Sequence, residues 1–439
     1  MKMTGGAMMP AGFLTFTGNK NMNYTIENPN NMMQIDGRPQ NGILGANQGP
    51  RHSVENSNND LTRLLETVKD RAARAADYIA PVNQLIKTST DDGKPQIVIE
   101  HNRGHATQIF DMNDVAFTQL AGQLEIDART ARRLQAQFPK ELDALINAMF
   151  EKSDLVRMLR THHYSTAELN DSGYYAGCDK VGVLRAMLSN KFKTYDHNHM
   201  LEDCLPPILE SGAQYRVTQC TVTDKRLYLR LRSLNQTGTG ANVGDIMANG
   251  IGLQNSEVGL GSVSVYQMVW TLACLNGMQT ENKTRKSHIT SVRDTDDWGL
   301  LSDEAKNADN VALGLKMRDL VAAYSSRESF DEVLEKMKQA AADVIDGVAV
   351  EKSEVVQNLG KVMQLTKKET SSVLDGLLDT IGQAGYEQGR PLSRATLVNA
   401  VTAVGNKAEA DNVDIWQQRG AQVLNMKRAD WQRVAAVAA

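Results

Sequence analysis

The chain has 439 residues, of which 41% are hydrophobic, and it carries a formal net charge of -4 at pH 7. This length allows two or three domains with a sizeable core, and the mildly acidic balance excludes a globally basic protein, so any nucleic-acid site must be a local patch. The four separated cysteines, and the lack of any stretch near ~18 apolar residues, argue against a disulfide framework and a membrane span and favour the cytoplasm.

Residues 1–59 are rich in Asn, Gly, Met and Pro and show no sustained hydrophobic period, which predicts a flexible arm. The start of this arm lacks the apolar core and the cleavage site of a secretory signal peptide. Asp60 is a capping residue type, and the apolar residues that follow it at helical spacing predict a helix that ends or kinks near Pro81. Residues 96–100 and 107–110 predict two strands joined by a polar loop.

Residues 117–134 predict two short helices that resemble a helix-turn-helix. Ala121 and Ile126 lie near the usual packing positions, while Glu125 stands where the turn commonly has glycine. The second helix carries three arginines, Arg129, Arg132 and Arg133. Two interpretations remain open: a second helix that reads the major groove of DNA, or a helical hairpin that packs on the domain core.

The central region combines strands with one helix. The segment that begins at Gly182 is compatible with extended or helical structure, and residues 200–210 predict a helix that Pro206 and Pro207 interrupt. Four strands are predicted, at residues 215–222, 227–232, 245–255 and 262–275, with a glycine-rich loop over residues 238–244.

After about residue 300 the hydrophobic period becomes helical. Ser329 with Glu332, and Thr366 with Glu369, have the spacing of capping boxes, and Ser393 can cap a further helix. The predicted fold class is α+β: a mixed or antiparallel sheet core with β-hairpins, flanked by helices and followed by a helical carboxy-terminal region. The predicted domains are the arm at residues 1–59, the α+β core at 60–300 and the helical region at 301–439.

The strand over residues 225–232 carries the most informative side chains. Its three leucines alternate with Tyr228, Arg230 and Arg232, and successive side chains of a strand point to opposite faces. One face is therefore apolar and can pack on a core, whereas the other can hold a phosphate backbone while a base stacks on the ring. The alternative is an ordinary solvated sheet face.

Other cationic and aromatic residues extend this candidate nucleic-acid site. Lysine and arginine neutralise phosphates, and aromatic rings stack bases with little sequence preference. The candidates besides the strand are Arg185, Lys191, Phe192, Lys193, Lys283, Arg285 and Lys286, and Arg216 is a further nearby cation. The alternative is a set of scattered solvated charges that share no surface.

Enzymatic and metal sites have weaker support. His197 and His199 would share one face of a strand beside Asp196, Asp203 and Cys204, but this spacing matches no tetrahedral zinc site. The glycine-rich segments match neither a phosphate-binding loop nor a dinucleotide fingerprint, and no cysteine or serine lies in a nucleophile signature. The sequence therefore predicts a protein that is not an enzyme and has no cofactor or metal.

Two motifs connect the chain to a family. One has Arg185, Ser189, Phe192 and Asp196 within residues 181–201. The other contains Asn255, Ser256, Gly259, Cys274, Asn276 and Gly277, and a basic segment follows at residues 285–288. Together they resemble the DUF932 family of phage- and plasmid-encoded proteins, which has no established activity.

The setting of that family in mobile elements implies DNA metabolism, and its helix-plus-hairpin core invites analogy with ring-forming single-strand annealing proteins. The resulting hypothesis is a homo-oligomer that binds single-stranded DNA or RNA and anneals or protects it. The alternative is a phage structural or assembly protein without nucleic-acid affinity, whose arm and carboxy-terminal helices mediate assembly.

Overall fold

The computed structural model describes residues 54–99, 108–165, 168, 180–240, 246–272, 276–286, 302–345, 351–382, 391–408 and 410–436. Residues 1–53 of the predicted arm, the loop at 101–105, most of the predicted glycine-rich loop, and the positions of Cys178 and Cys274 lie outside these ranges.

The described residues form twelve helices and eleven strands, and the chain has the predicted α+β class. The helices are α1 (Val54–Arg74), α2 (Asp114–Gln123), α3 (Ala128–Gln137), α4 (Pro139–Phe150), α5 (His197–Glu210), α6 (Asp303–Tyr324), α7 (Arg327–Ala342), α8 (Lys352–Val362), α9 (Lys367–Ile381), α10 (Arg394–Gly405), α11 (Ala410–Leu424) and α12 (Arg428–Ala435). The strands are β1 (Ala75–Pro81), β2 (Leu85–Ser89), β3 (Pro95–Ile99), β4 (Gln108–Met112), β5 (Val156–His163), β6 (Lys180–Ser189), β7 (Tyr215–Val222), β8 (Leu227–Thr239), β9 (Ile246–Asn255), β10 (Val263–Thr271) and β11 (Asn276–Lys286).

Six strands form a mixed sheet in the order β1-β5-β6-β4-β3-β2, in which only the β4–β6 pair is parallel. The predicted strands near residues 96–100 and 107–110 are β3 and β4, and they pair with each other. Phe110, Leu159 and Leu184 form part of its buried core with Leu120 of α2 and Ile146 of α4. The segment that begins at Gly182, for which the sequence allowed either extended or helical structure, lies in the central strand β6.

The other five strands form an antiparallel meander in the order β11-β10-β9-β8-β7. The predicted hairpin at residues 215–222 and 227–232 is confirmed, although β8 continues to Thr239 into the predicted glycine-rich loop. One face of this sheet packs Leu229, Ile251 and Val265 against α1, α5 and α6. We call this face the core face.

Three boundary predictions near these sheets are wrong. The helix expected to end or kink near Pro81 ends at Arg74, and Pro81 is the last residue of β1. Asp60 lies inside α1 rather than at its start, because the helix already includes Val54. The prolines Pro206 and Pro207 do not interrupt α5, which runs through them to Glu210. Its apolar residues, such as Leu205 and Ile208, are buried against the core, and this burial offsets the hydrogen bonds that the prolines cannot donate.

The helices from α7 to α12 build a core of their own, and Val269 and Met278 of the five-stranded sheet belong to it. The capping box of Thr366 and Glu369 is confirmed at the start of α9, and Ser393 caps α10 as predicted. The box predicted at Ser329 is wrong, because α7 begins one turn earlier.

Ser326 is the residue that caps α7, since its side chain accepts a hydrogen bond from the Ser329 backbone N. The Ser329 hydroxyl is directed elsewhere and donates to Gln267 Oε1 at 3.1 Å.

The two helices predicted over residues 117–134 are confirmed as α2 and α3. Asn113 and Asp127 cap them by accepting hydrogen bonds from backbone N–H groups two to three residues into each helix. The turn between them places Glu125 at φ = 56°, in the left-handed region that favours glycine.

Replacing Glu125 by glycine is expected to raise the free energy of unfolding by about 0.5–1 kcal/mol, because relief of left-handed backbone strain exceeds the added entropy of the unfolded chain. Urea denaturation at pH 7 measures the change. Glu151→Gly is the matched control, since Glu151 is exposed and has φ = -55°, and this variant should be destabilised. Equal destabilisation of both variants would contradict the strain argument.

Candidate functional site

The strand β8 divides its side chains between two faces as predicted. Leu227, Leu229 and Leu231 lie on the core face, and Tyr228, Arg230 and Arg232 lie on the opposite face. We call this opposite face of the five-stranded sheet the basic face.

Cross-strand register extends the basic face over all five strands, because directly paired residues of antiparallel strands share a face. Arg232 pairs with Arg216 of β7 on one side and with Gly250 of β9 on the other. Tyr266 of β10 pairs with Lys283 of β11, and the Lys283 ammonium lies 5.3 Å from the centre of the Tyr266 ring. Lys283 therefore shares a face with the arginines of β8, while Arg285 pairs with Ser264 further along the same strand.

The central part of the basic face is closed by the helix α11. Its Asp414 carboxylate forms an ion pair with Arg230 and accepts hydrogen bonds from the Tyr266 hydroxyl (3.3 Å) and Gln279 Nε2 (2.7 Å). Burial raises the pKa of Tyr266, and Arg230 is only 2% exposed. The charge of Arg230 is thus neutralised within the protein.

Because this face is covered, the prediction that β8 presents an exposed stacking surface is wrong. Tyr228 is fully buried, so no base can reach its ring without opening the structure, and Arg230 is already paired with Asp414. The cause is tertiary: both faces of this strand are covered, whereas alternation along the sequence led us to expect one covered face and one open face.

On the basic face, three buried N–H donors have no acceptor among the described residues. They are the Nε atoms of Arg216 and Arg232 and the Nε1 atom of Trp270. Trp270 Nε1 lies over Gly250, the register partner of Arg232, because Gly250 has no side chain; a Cβ there would stand 2.9 Å from Trp270 Nε1 and 2.5 Å from the Leu231 carbonyl oxygen. We call these three groups the donor row.

The donor row has the electrostatics of an anion site. Arg232 is 7% exposed and Arg216 is half-buried, and among the described residues neither forms an ion pair with a carboxylate. Burial lowers the pKa of Arg232 to about 10, and repulsion from Arg216 contributes to the shift. Among the described residues, two acceptors near Arg230 also have no partner, Gln219 Oε1 and Asp414 Oδ2. Gln219 of β7 is the register partner of Arg230, and Asp414 is its ion-pair partner.

The remaining candidates lie elsewhere. Arg185 is buried in β6 of the six-stranded sheet, and Phe192 is buried in an apolar cluster with Val258, so neither can contact nucleic acid as predicted. Lys193 forms an ion pair with Asp309 (3.2 Å), and Lys191 is exposed in the same loop. Lys286 is exposed at the end of β11, opposite a residue of the core face.

A second buried polar cluster joins the two sheets. Glu257, in the turn between β9 and β10, accepts hydrogen bonds from Arg185 Nη2 (2.7 Å) and from the His197 backbone N (2.8 Å). Its carbonyl oxygen accepts a hydrogen bond from Arg160 of β5 (3.0 Å), which also pairs with Asp77 and Asp196. We call this set the Glu257 cluster.

The Glu257 cluster explains the motif residues in structural terms. Burial opposes ionisation of Glu257, but the nearby His197, Arg185 and Arg160 together hold its pKa far below the ordinary value. Burial lowers the pKa of His162 to about 3 and that of His197 to about 4. The charges of the cluster are therefore compensated internally, which is the arrangement of a structural ion network.

The two histidines considered for a metal do not converge. They open the helix α5 instead of lying in a strand, where residues two apart would share a face; His197 is buried beside Asn255 and His199 is exposed. In the part of the chain that the structure describes, no group of three or more His, Cys, Asp or Glu residues could hold a metal ion.

Comparisons with protein-family models, curated proteins and solved structures find no match to this chain. The relation to the DUF932 family therefore stays a prediction from the two motifs. Among the described helices, none has both the length and the apolar character needed to cross a membrane.

The sequence did not reveal three important residues. Trp270 comes to the donor row, with Gly250 beneath its ring, only through the register of β9 and β10, and Asp414 is 184 residues from its partner Arg230. Alternation at the start of β7 could have placed Arg216 on the same face as Arg230 and Arg232, because its neighbours Tyr215 and Val217 both contact the core.

Proposed function

We propose that this chain is a non-enzymatic protein that binds single-stranded nucleic acid and holds a backbone phosphate at the donor row. The observation that carries the proposal is the presence of three buried N–H donors, two of them on guanidinium groups of paired residues, with no acceptor in the part of the chain that the structure describes. A phosphate offers several acceptor oxygens and the negative charge that two guanidinium groups require.

Arg232 is the residue whose burial is expected to cost the most free energy in the unliganded protein. A buried charge without a partner is costly, and buried polar groups in folded proteins are nearly always hydrogen-bonded. Nearby Arg230 follows this rule through Asp414, whereas the buried Nε atoms of Arg232 and Arg216 have no acceptor among the described residues. This arginine pair is expected to cost stability in the free protein. A ligand that supplies negative charge would compensate that cost.

A single strand suits the location better than a duplex. Arg216 lies on the edge strand of the sheet and is half-buried, and Arg232 lies one strand inward and is nearly buried. A phosphate must therefore approach from the edge of the sheet, where a flexible backbone can adapt to the surface and a stiff duplex cannot. Lys283, half-buried on the same face, can add to the attraction.

The biological setting comes from the family resemblance. We propose a phage- or plasmid-encoded protein that anneals or protects DNA during recombination or replication, as a homo-oligomer in the host cytoplasm. Base stacking by Tyr228 and Phe192 is not part of this proposal, because both rings are buried.

Replacing Arg216 and Arg232 by glutamine is expected to weaken binding of a labelled single-stranded oligonucleotide about tenfold or more at low salt, and to reduce the slope of log affinity against log salt by about 0.7 per phosphate lost. Fluorescence anisotropy over a salt series, on protein freed of nucleic acid, measures both quantities. The matched control is Lys316→Gln with Arg318→Gln, which removes two exposed charges from α6.

A stability measurement separates ligand binding from a structural role. Arg232→Met removes an uncompensated buried charge, so its free energy of unfolding should rise by about 1 kcal/mol or more while binding weakens. Loss of both stability and binding would indicate that Arg232 supports the fold instead. Unchanged affinity in the double variant would remove the donor row from the function, and no single-strand affinity in the wild type would favour the assembly alternative.

A further inference from the structure

The helices α2 and α3 form a rigid unit on the six-stranded sheet. Ala121 and Ala131 are buried, and Ile126 packs against the same core, as in the packing predicted for a helix-turn-helix. In α2, Gln119 Nε2 donates to the Val258 carbonyl oxygen (2.7 Å), and in α3 the buried Gln135 Nε2 donates to the Gly93 carbonyl oxygen (2.8 Å). Both helices are therefore held in place from the protein side.

The connection between them has the length and the left-handed turn residue of a helix-turn-helix turn. It spans residues 124–127, a four-residue turn, and Glu125 takes the left-handed conformation at the position where glycine is common. The Ile126 backbone N donates to the Ala121 carbonyl oxygen (2.9 Å), which closes the end of α2. Arg132 then ties the outer side of α3 to α2 by donating to Asp114 (2.8 Å) and Thr118 (2.7 Å).

The outward side of α3 carries two free cations. Arg129 and Arg133 are one helical turn apart and both are exposed, and among the described residues neither forms an ion pair or a side-chain hydrogen bond. Arg132 beside them is occupied by Asp114. Asp127 is directed into its capping hydrogen bond with the Thr130 backbone N, so its carboxylate is engaged at the helix start.

We infer that α3 is a recognition helix that enters the major groove of duplex DNA, with Arg129 and Arg133 contacting base edges and phosphates. An exposed helix held by a preceding helix and a short turn is the element that reads the major groove in helix-turn-helix proteins. Arginine is the residue best suited to both contacts, because its fork donates to guanine edges and to phosphate oxygens.

This duplex surface is separate from the donor row. The helices α2 and α3 belong to the core of the six-stranded sheet, and the donor row lies on the basic face of the five-stranded sheet. The inference therefore stands independently of the proposed single-strand function, and a chain with both sites can hold a duplex and a single strand together.

The test uses the full chain and a labelled random-sequence DNA duplex, with a single strand of the same length as the second probe. Arg129→Gln with Arg133→Gln should raise the duplex Kd about tenfold or more and leave the single-strand Kd unchanged. The control with Lys316→Gln and Arg318→Gln removes the same charge from exposed α6 and should leave duplex affinity close to that of the wild type.

Three results would overturn the inference: no duplex binding by the wild type at low salt, equal duplex affinity in the arginine variant and the wild type, or an equal loss in the control variant. The last result would indicate general charge attraction instead of a recognition helix. The Arg216 and Arg232 variant distinguishes the two sites, since it should lose single-strand affinity and retain duplex affinity.

Discussion

Replacing Glu257 by glutamine is expected to lower the free energy of unfolding by about 3–5 kcal/mol, because removal of one partner leaves buried charges uncompensated. Arg185 would lose the carboxylate that now accepts its hydrogen bond at 2.7 Å. The neutral glutamine would no longer balance the positive charges of the arginines around it. Since Glu257 joins the five-stranded sheet to β5 and β6, the loss should appear as destabilisation of the whole fold. Urea denaturation at pH 7 measures it.

The matched control is Asp92→Asn, which removes a carboxylate from an exposed pair with Lys94 and should cost less than about 1 kcal/mol. The double variant Glu257→Met with Arg185→Met should recover part of the lost stability, since it removes both charges together. A Glu257→Gln variant within about 1 kcal/mol of the wild type would show that the cluster does not depend on this carboxylate.

The second large effect expected is a loss of stability in mild acid, and one source of it is the buried His197. Burial lowers the pKa of this histidine to about 4 in the folded protein, against an ordinary value of 6.5. Below pH 6.5 the unfolded chain binds a proton that the folded protein does not take up until about pH 4. Stability from this group is therefore complete above pH 6.5 and decreases as the pH falls through that interval, by about 3 kcal/mol in all.

Two other groups act in the same direction. Burial lowers the pKa of His162 to about 3, so the unfolded chain again binds the proton first as the pH falls. Glu257 has a lowered pKa in the folded state, and its contribution is present above its ordinary value of 4.5 and is lost as the pH falls below it. Unfolding should therefore become easier first between pH 6.5 and 4, and then further below that range.

The free energy of unfolding in urea at pH 7, 5.5 and 4 measures this dependence. His197→Gln should reduce the slope of the profile between pH 6.5 and 4 by about half, because glutamine does not titrate there whereas His162 still does. His199→Gln is the control, since His199 is exposed in the same helix and should leave the profile unchanged. A wild-type stability that is constant from pH 7 to pH 4.5 would rule out this account of the histidines.

The structure leaves Arg232 as the candidate binding residue of β8, whereas the sequence predicted a site that included Tyr228 and Arg230 as well. Sequence reasoning selected Tyr228, Arg230 and Arg232 together because they alternate with leucines. The structure keeps them on one face but gives them different roles: Tyr228 is buried, Arg230 is neutralised by Asp414, and only Arg232 keeps an unsatisfied donor. The difference lies in what packs over each residue and not in the residues themselves.

Some features could be predicted because their causes are local. The leucines of β8 lie on the core face since strand alternation depends only on neighbouring residues. The capping box of Thr366 and Glu369 forms because both partners stand within one helical turn. The helices α2 and α3 could also be predicted from the sequence, since their apolar positions, their turn and their caps all fall within a short segment.

The sequence by itself thus determined the α+β class, the hairpin of β7 and β8, and the residue types that face each way along them. Only the tertiary structure decided which faces are covered and which charges are compensated. Arg230 meets Asp414 across 184 residues, and Arg160 meets the Glu257 carbonyl oxygen across 97. Local hydrophobic periodicity specifies the direction of a side chain, but the partner that lies opposite depends on long-range packing, and that partner determines whether an arginine is structural or left to bind a ligand.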